Sequence, residues 1–239
     1  MFDSSKKTIS TVFGTEVNMY HRNLTTDLMT IEAVMKYDEY DANNLKPYYK
    51  DHDTFIDIGS HVGSWALLMA SLNPTFIVHA YEALPENYVM IHKNILANQF
   101  CNVIPYSFAV TDCSKGKFPI YTTSDATPFE RQHRFIGSSA GAGAVKIMVD
   151  QISLNDVLAK VKHVKVLKTD AEGAECFAFP KLCKEEFNKI DFIVGEFHGL
   201  AMDYDQFWGY FKPYFDDISK PTEEKYLRDF LFKNRQVKT

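Results

Sequence analysis

The chain has 239 residues, 46% of them hydrophobic and 24% charged. That is the composition of a globular protein, which excludes disordered, collagenous and coiled-coil classes. Lys and Arg number 26 against 31 Asp and Glu, a formal net charge of −5. No basic excess is present to drive general binding of nucleic acid or anionic membrane, so both are disfavoured as partners. The longest apolar run, Trp65 to Ala70, is far shorter than the roughly 20 residues of a membrane helix. Lys6 and Lys7 are followed by no apolar stretch, so no secretion signal is expected. Cys101, Cys113, Cys176 and Cys183 form no CxxC pair. They are expected as reduced thiols of a cytoplasmic chain.

Residues 1–50 are polar and aromatic, and are expected as an N-terminal helical cap or lid ahead of one domain over 51–239. Thr26 and Asp27 look like a helix cap, with Leu28, Ile31, Val34 and Met35 following at helical spacing. From residue 53 short β-rich runs alternate with helical stretches. Thr54–Ile58 is expected as a strand, Ser64–Leu72 as a helix and Phe76–Tyr81 as a strand. A helix then runs from Pro85, which suits a first turn, to Asn98. Val103–Val110 is expected as one strand and Phe118–Thr122 as a short one. A long irregular loop with the glycine cluster 137–143 follows. Ser153–Leu158 reads as a capped helix, Val164–Thr169 and Phe192–Phe197 as strands, Tyr204–Tyr214 as an aromatic helix and Leu227–Phe232 as a last strand. Strand–helix alternation with doubly apolar runs predicts an α/β fold, a doubly wound and mostly parallel sheet. Such sheets bind ligands at the carboxyl ends of their strands.

The first strand ends in Asp57-Ile-Gly59-Ser60-His61-Val-Gly63-Ser64. Two glycines between strand and helix allow a tight turn and close backbone approach, and the helix N-terminus favours an anionic group. Asp57 at the same edge suits a ligand ammonium. A nicotinamide fingerprint needs a middle glycine where His61 stands, which weakens an NAD oxidoreductase reading. The second strand ends in Glu82-Ala83, where a carboxylate can accept both hydroxyls of a ribose. A nucleoside whose other end carries a carboxylate and an ammonium fits both features, and S-adenosylmethionine is such a molecule. A plain tight turn and a solvated glutamate are the bland alternatives.

The fourth strand is followed by Asp170, Glu172 and Glu175, three carboxylates within six residues. They suit a bound cation or a carboxyl with a raised pKa. An acidic helix start explains Glu175 but not Asp170. The fifth strand ends at His198, a candidate base for a hydroxyl proton. No His/Asp cluster at ligand spacing is visible, so no metal is expected. Arg131, His133 and Arg134 form a small basic cluster that suits an acidic acceptor, though such runs are more often merely solvated.

FIDIGSHVGSWAL at 55–67, HAYEALPENY at 79–88, ISLNDVL at 152–158, LKTDAEGAE at 167–175 and VGEFHG at 194–199 together resemble the FkbM family of S-adenosylmethionine-dependent methyltransferases, a class I, Rossmann-like group. The resemblance covers residue 22 to the end, and the DAEGAE element is its specific part. It implies a seven-stranded sheet with an antiparallel last strand, and methyl transfer to a hydroxyl oxygen. The acceptor would be a small molecule, a sugar or nucleotide sugar or another hydroxylated metabolite. By position, Asp57, Gly59 and Gly63 would line the methionine end, Glu82 the ribose, and Ser107 the adenine. Asp170 would face the ammonium or the reacting centre, with Glu172 or His198 as base. The segment 122–145, the N-terminal helix, Tyr37, Tyr40 and Trp208 would roof the acceptor. A non-catalytic cofactor-binding module is the rival that keeps Asp57 and Glu82 but has no need of Asp170 and Glu172.

Overall fold

The computed structural model describes residues 3–123, 133–134 and 144–238. The chain opens with an antiparallel hairpin, β1 (Ser4–Ser10) and β2 (Glu16–Arg22), turning through Gly14 at φ 78°. Only a helix was expected in this segment. The hairpin escapes a periodicity reading because β1 buries a single residue, Ile9. α1 (Asp27–Met35) follows and buries Asp27, Ile31, Val34 and Met35, the face its spacing predicts. A short α2 (Ala42–Leu45) leads to β3 (Thr54–Ile58).

Next come α3 (Ser64–Leu72), β4 (Ile77–Tyr81), α4 (Pro85–Asn98) and β5 (Val103–Tyr106). Pro85 starts α4 in its first turn. Gln99 ends it in left-handed conformation, its N–H returned to the carbonyls of Ile95 and Leu96. The run expected as one strand over 103–110 is two. It breaks at Ser107-Phe108, and β6 (Ala109–Thr111) belongs to a different sheet. β7 (Lys117–Thr123), the two-residue β8 (His133–Arg134) and β9 (Ala144–Ser153) complete that sheet in the order β6-β9-β7-β8. β9 replaces part of the expected loop. It pairs with β6 in parallel and with β7 in antiparallel register from Lys117–Asp150 to Thr123–Ala144.

Ser153 caps α5 (Leu154–Leu158) by accepting from the Asp156 N–H. β10 (Val164–Thr169), a short α6 (Glu175–Ala178), β11 (Ile190–His198), α7 (Tyr204–Phe211), β12 (Phe215–Asp217) and β13 (Leu227–Asn234) close the chain. A capping box between Asp203 and Gln206 sets the start of α7.

The main sheet has seven strands in the order β12-β13-β11-β10-β3-β4-β5, and β13 runs antiparallel to both its neighbours. This is the doubly wound, Rossmann-like arrangement expected. One apolar layer, with Phe55, Leu67, Val78 and Val166, joins the sheet to α1, α3 and the hairpin. The other, with Ile56, Leu167, Phe179, Phe207 and Phe232, lies under α7. Trp208 packs on Phe232, ring centroids 4.8 Å apart, and so belongs to this core rather than to an acceptor roof. The β6–β9 sheet packs through Ala109, Ile120 and Val149 against Leu84. No helix among the described residues is long and apolar enough to cross a membrane.

Candidate active site

A cleft of about 320 Å³ opens at the carboxyl ends of β3, β4 and β10, where the topology reverses and open α/β sheets bind ligands. One end is walled by Tyr81, Glu82, Ala83, Leu84 and Asn87, and by the apolar stretch Phe108, Ala109 and Val110 with Ile120. The other end is acidic, with Glu39, Asp170, Glu172 and Glu196. Thr26, Thr30 and Tyr40 reach it from the N-terminal segment.

Gly59 sits between the two ends with φ 74°. A Cβ there would stand 1.8 Å from the Asp170 carbonyl oxygen, so only glycine lets β3 and β10 end this close together. The N–H groups of Gly59 and Ser60 are both tied to the Tyr81 carbonyl at 3.0 Å. His61 follows at φ 53°. Its N–H donates to Glu82 Oε2 at 2.8 Å, and the Leu84 N–H donates to Oε1 at 2.8 Å. Glu82 is buried at the cleft wall, and burial raises its pKa against those two donors. The Asn87 side chain is a third hydrogen-bond partner of the carboxylate, which leaves acceptor capacity on a group of about four lone-pair sites for a further donor. Two oriented acceptors beside an apolar slot fit the ribose and base of an adenosyl group. Asn87, at the same wall, carries a buried Oδ1 without a partner.

Asp57 differs from its expectation. It is fully buried, and the Lys168 ammonium lies 3.1 Å from its Oδ1 and donates 2.8 Å to the Gly59 carbonyl. It therefore braces the loop from behind and is not among the cleft residues. Ser60, Gly63, Ser64 and Ser107 are also outside the cleft wall. Ser60 donates to the Asp57 carbonyl at 3.1 Å, and Gly63, at φ 90°, leads into α3. Of the expected cofactor contacts, Gly59, His61, Glu82, Ala83 and Asp170 line the cleft.

Asp170 accepts a 2.7 Å hydrogen bond from the buried Tyr40 hydroxyl. Glu172, held in left-handed conformation at φ 53°, has its pKa pushed up to about 7, chiefly by burial and then by Asp170 and Glu196, against the pull of His198. His198 lies one layer behind. Its N–H and Nδ1 meet Glu175 Oε1 at 2.8 and 3.1 Å, and Nε2 is 3.6 Å from both Glu172 and Glu196. Burial works against its charge, yet Glu175 and the other carboxylates raise its pKa to about 9. The same burial, with Asp170, lifts Glu196 to about 7. Glu196 went unread in the sequence because it lies 26 residues past Asp170. The parallel pairing of Thr169 with Gly195 makes them neighbours. Asp170, Glu196 and His198 each bring one ligand atom within 4.8 Å of the others, a spacing a metal ion could bridge.

Tyr40 thus reaches the cleft as expected, whereas Tyr37 is 67% exposed and does not. Residue 131, the side chains of His133 and Arg134 and the glycine cluster 137–143 lie outside the described residues.

Comparison with known proteins agrees with this geometry. The methyltransferase FkbM domain model matches residues 57–233. An rRNA methylase from Streptococcus thermophilus superimposes with a TM-score of 0.50 at 7% identity, over 81% of this chain and 93% of that one. A precorrin-6y C5,15-methyltransferase from Geobacter metallireducens gives 0.44 at 11% identity, over 89% and 88%. Aeropyrum pernix fibrillarin, with natively bound S-adenosyl-L-methionine, gives 0.45 at 9%, over 77% and 67%. A search among curated proteins gives no match. At 7% identity the first of these likenesses speaks to the fold alone, and the domain match speaks to the family. The chain belongs to the FkbM methyltransferases, a class I, Rossmann-like family, and its cofactor is S-adenosylmethionine.

Proposed function

We propose that the protein methylates a hydroxyl oxygen of a small hydroxylated acceptor, a sugar or a molecule of similar polarity. The observation that carries this reading is the acidic end of the cleft, with Glu39, Asp170, Glu172 and Glu196. A wall of carboxylates repels a phosphodiester backbone but accepts hydrogen bonds from hydroxyls.

Bound S-adenosylmethionine supplies an electrophilic methyl and its own leaving group. The residues of the chain position, orient and take up a proton. Glu82 would hold the ribose with its remaining acceptor capacity, and the Phe108–Val110 wall would flank the base. Asp170, fixed by Tyr40, orients the ammonium or the acceptor. Glu172 is the better candidate base, because it lines the cleft and is half-ionised near neutral pH. His198 lies outside the cleft wall and carries a proton at neutral pH, so its part is to hold the carboxylates in place. No metal is needed for these roles.

The test is incubation with S-adenosylmethionine and a panel of neutral sugars, nucleotide sugars and structured RNA at physiological salt. Mass gain of one methylene on a neutral polyol is the expected result. Methyl incorporation into RNA alone would replace this reading with a nucleic-acid one.

A further inference from the structure

We propose that Asp27, outside the matched domain, is a positioning residue for the cofactor: through His61 it fixes the carboxylate of Glu82. The inference rests on the assignment of Glu82 to the ribose.

Asp27 opens α1, directly after the hairpin, and its side chain is 1% exposed. Its Oδ2 accepts from the Arg22 N–H and Nε, both at 2.9 Å, and its Oδ1 from Arg22 Nη2 at 2.8 Å. The ring Nε2 of His61 stands 3.2 Å from the same Oδ1 and 3.3 Å from Arg22 Nη2. His61 is the residue whose backbone N–H orients Glu82 Oε2. That N–H points at Glu82 only while His61 holds φ 53°, a conformation that a residue with a Cβ adopts at a cost. Nothing in the loop's own sequence compensates this, since glycine would serve better at position 61. The compensation comes from the grip on the imidazole by the buried Asp27–Arg22 pair. The hairpin and α1 therefore act on the ribose acceptor through one side chain and one peptide.

The grip makes a distinct demand on substitutions at 61. His61→Ala loses the grip and keeps the backbone cost, whereas His61→Gly loses both. Both variants leave the Asp27–Arg22 pair intact, so the fold is retained. Titration calorimetry with S-adenosylhomocysteine should show His61→Ala weakened about tenfold, a cost typical of the left-handed region, and His61→Gly weakened less. Asp27→Asn should weaken binding to the same degree as His61→Ala, and adding His61→Gly to it should recover affinity while the lowered melting temperature stays. The loss should fall on the ribose contact. Wild type and Asp27→Asn should then bind the 2′,3′-dideoxy analogue of S-adenosylhomocysteine equally. In turnover, KM for the cofactor rises while kcat stays within about twofold, as expected when uniform binding is removed.

Equal affinities of His61→Ala and His61→Gly would overturn the proposal. So would an equal loss for the dideoxy analogue, which would mark Asp27 as merely structural. Glu82→Gln separates the two readings. If it leaves ribose discrimination intact, the Glu82 assignment itself has failed. If it abolishes discrimination while the substitutions at 27 and 61 do not matter, only the positioning role has.

Discussion

The Lys168 ammonium sits between the Asp57 carboxylate, 3.1 Å away, and the Gly59 carbonyl oxygen, 2.8 Å away. Adjacent strands thus lend one charge each to a pair sealed beneath the glycine loop, Asp57 from β3 and Lys168 from β10. The pairing register sets Lys168 opposite Asp57. Burial opposes the lysine's charge, but Asp57 and Asp170 raise its pKa.

Breaking that pair should cost stability before it costs chemistry. Asp57→Asn removes the nearest counter-charge of the buried Lys168, a loss of about 3–5 kcal/mol. Urea unfolding is the check, with a lowered midpoint and unchanged slope expected. A variant as stable as wild type would show that the pair contributes nothing.

Gly59 and Gly195 should be intolerant of any side chain. A Cβ at 195 would lie 1.7 Å from the Thr169 carbonyl oxygen, as one at 59 would crowd Asp170. Gly59→Ala adds the cost of φ 74°, and destabilisation of at least about 2 kcal/mol is expected for each by overpacking and strain. S-adenosylhomocysteine binding should weaken far more in Gly59→Ala than in Gly195→Ala, because only Gly59 faces the cleft. Calorimetry on both folded variants decides this.

The base assignment predicts a pH profile. Glu172 must be ionised to accept a proton, so kcat should rise with pH through about 7 and then level. Glu172→Gln should lower kcat by roughly 10²–10⁴. His198 pulls the Glu172 pKa down, so His198→Gln should move the rise to higher pH while leaving a plateau. A rise that stays in place on substitution of Glu172 would remove it as the base. The same preparation in EDTA should keep its rate. Loss of activity restored by Mg²⁺ or Mn²⁺ would instead make Asp170, Glu196 and His198 a ligand set.

Stability should fall on acidification in a way traceable to Asp27. Burial alone would raise its pKa, but His61 and Arg22 hold it well below the usual carboxylate range. A carboxyl with a folded pKa below its unfolded value stabilises fully above the unfolded value and loses that contribution as pH falls towards the folded one. Asp27→Asn should therefore cost about 3–5 kcal/mol near pH 7, because it breaks a buried ion pair from one side. The gap to wild type should narrow steadily below about pH 4, where unfolded carboxylates begin to protonate. Melting curves across pH 3 to 7, roughly spanning that carboxylate range, test this. A gap independent of pH would contradict it.

What sequence reading reaches here follows from where the energy is local. β3, α3, α4 and β10 have the bounds their patterns predict, since each is a run buried on both faces or a helix with its own stop signal. β1 is missed because it buries only Ile9, and β2 because its polar run is held by β1 and by Asn94 and Asn98 of α4, partners distant in the chain. The break between β5 and β6 is invisible because both halves are apolar, and only their different partners separate them. At the site, Glu82 and Asp170 stand at strand ends as their order in the chain implies. The roles of Asp57 and Glu196 are set by neighbours on other strands. No spacing along the chain reports that Lys168 opposes Asp57 or that Gly195 opposes Thr169.

The wall of Phe108, Ala109 and Val110 joins β5 in the large sheet to β6 in the small one, so it is laddered into a sheet at either end. Such a wall cannot swing aside as a free loop would. Thr26 and Thr30, at the start of α1, line the same cleft from a helix that no sheet ladder holds.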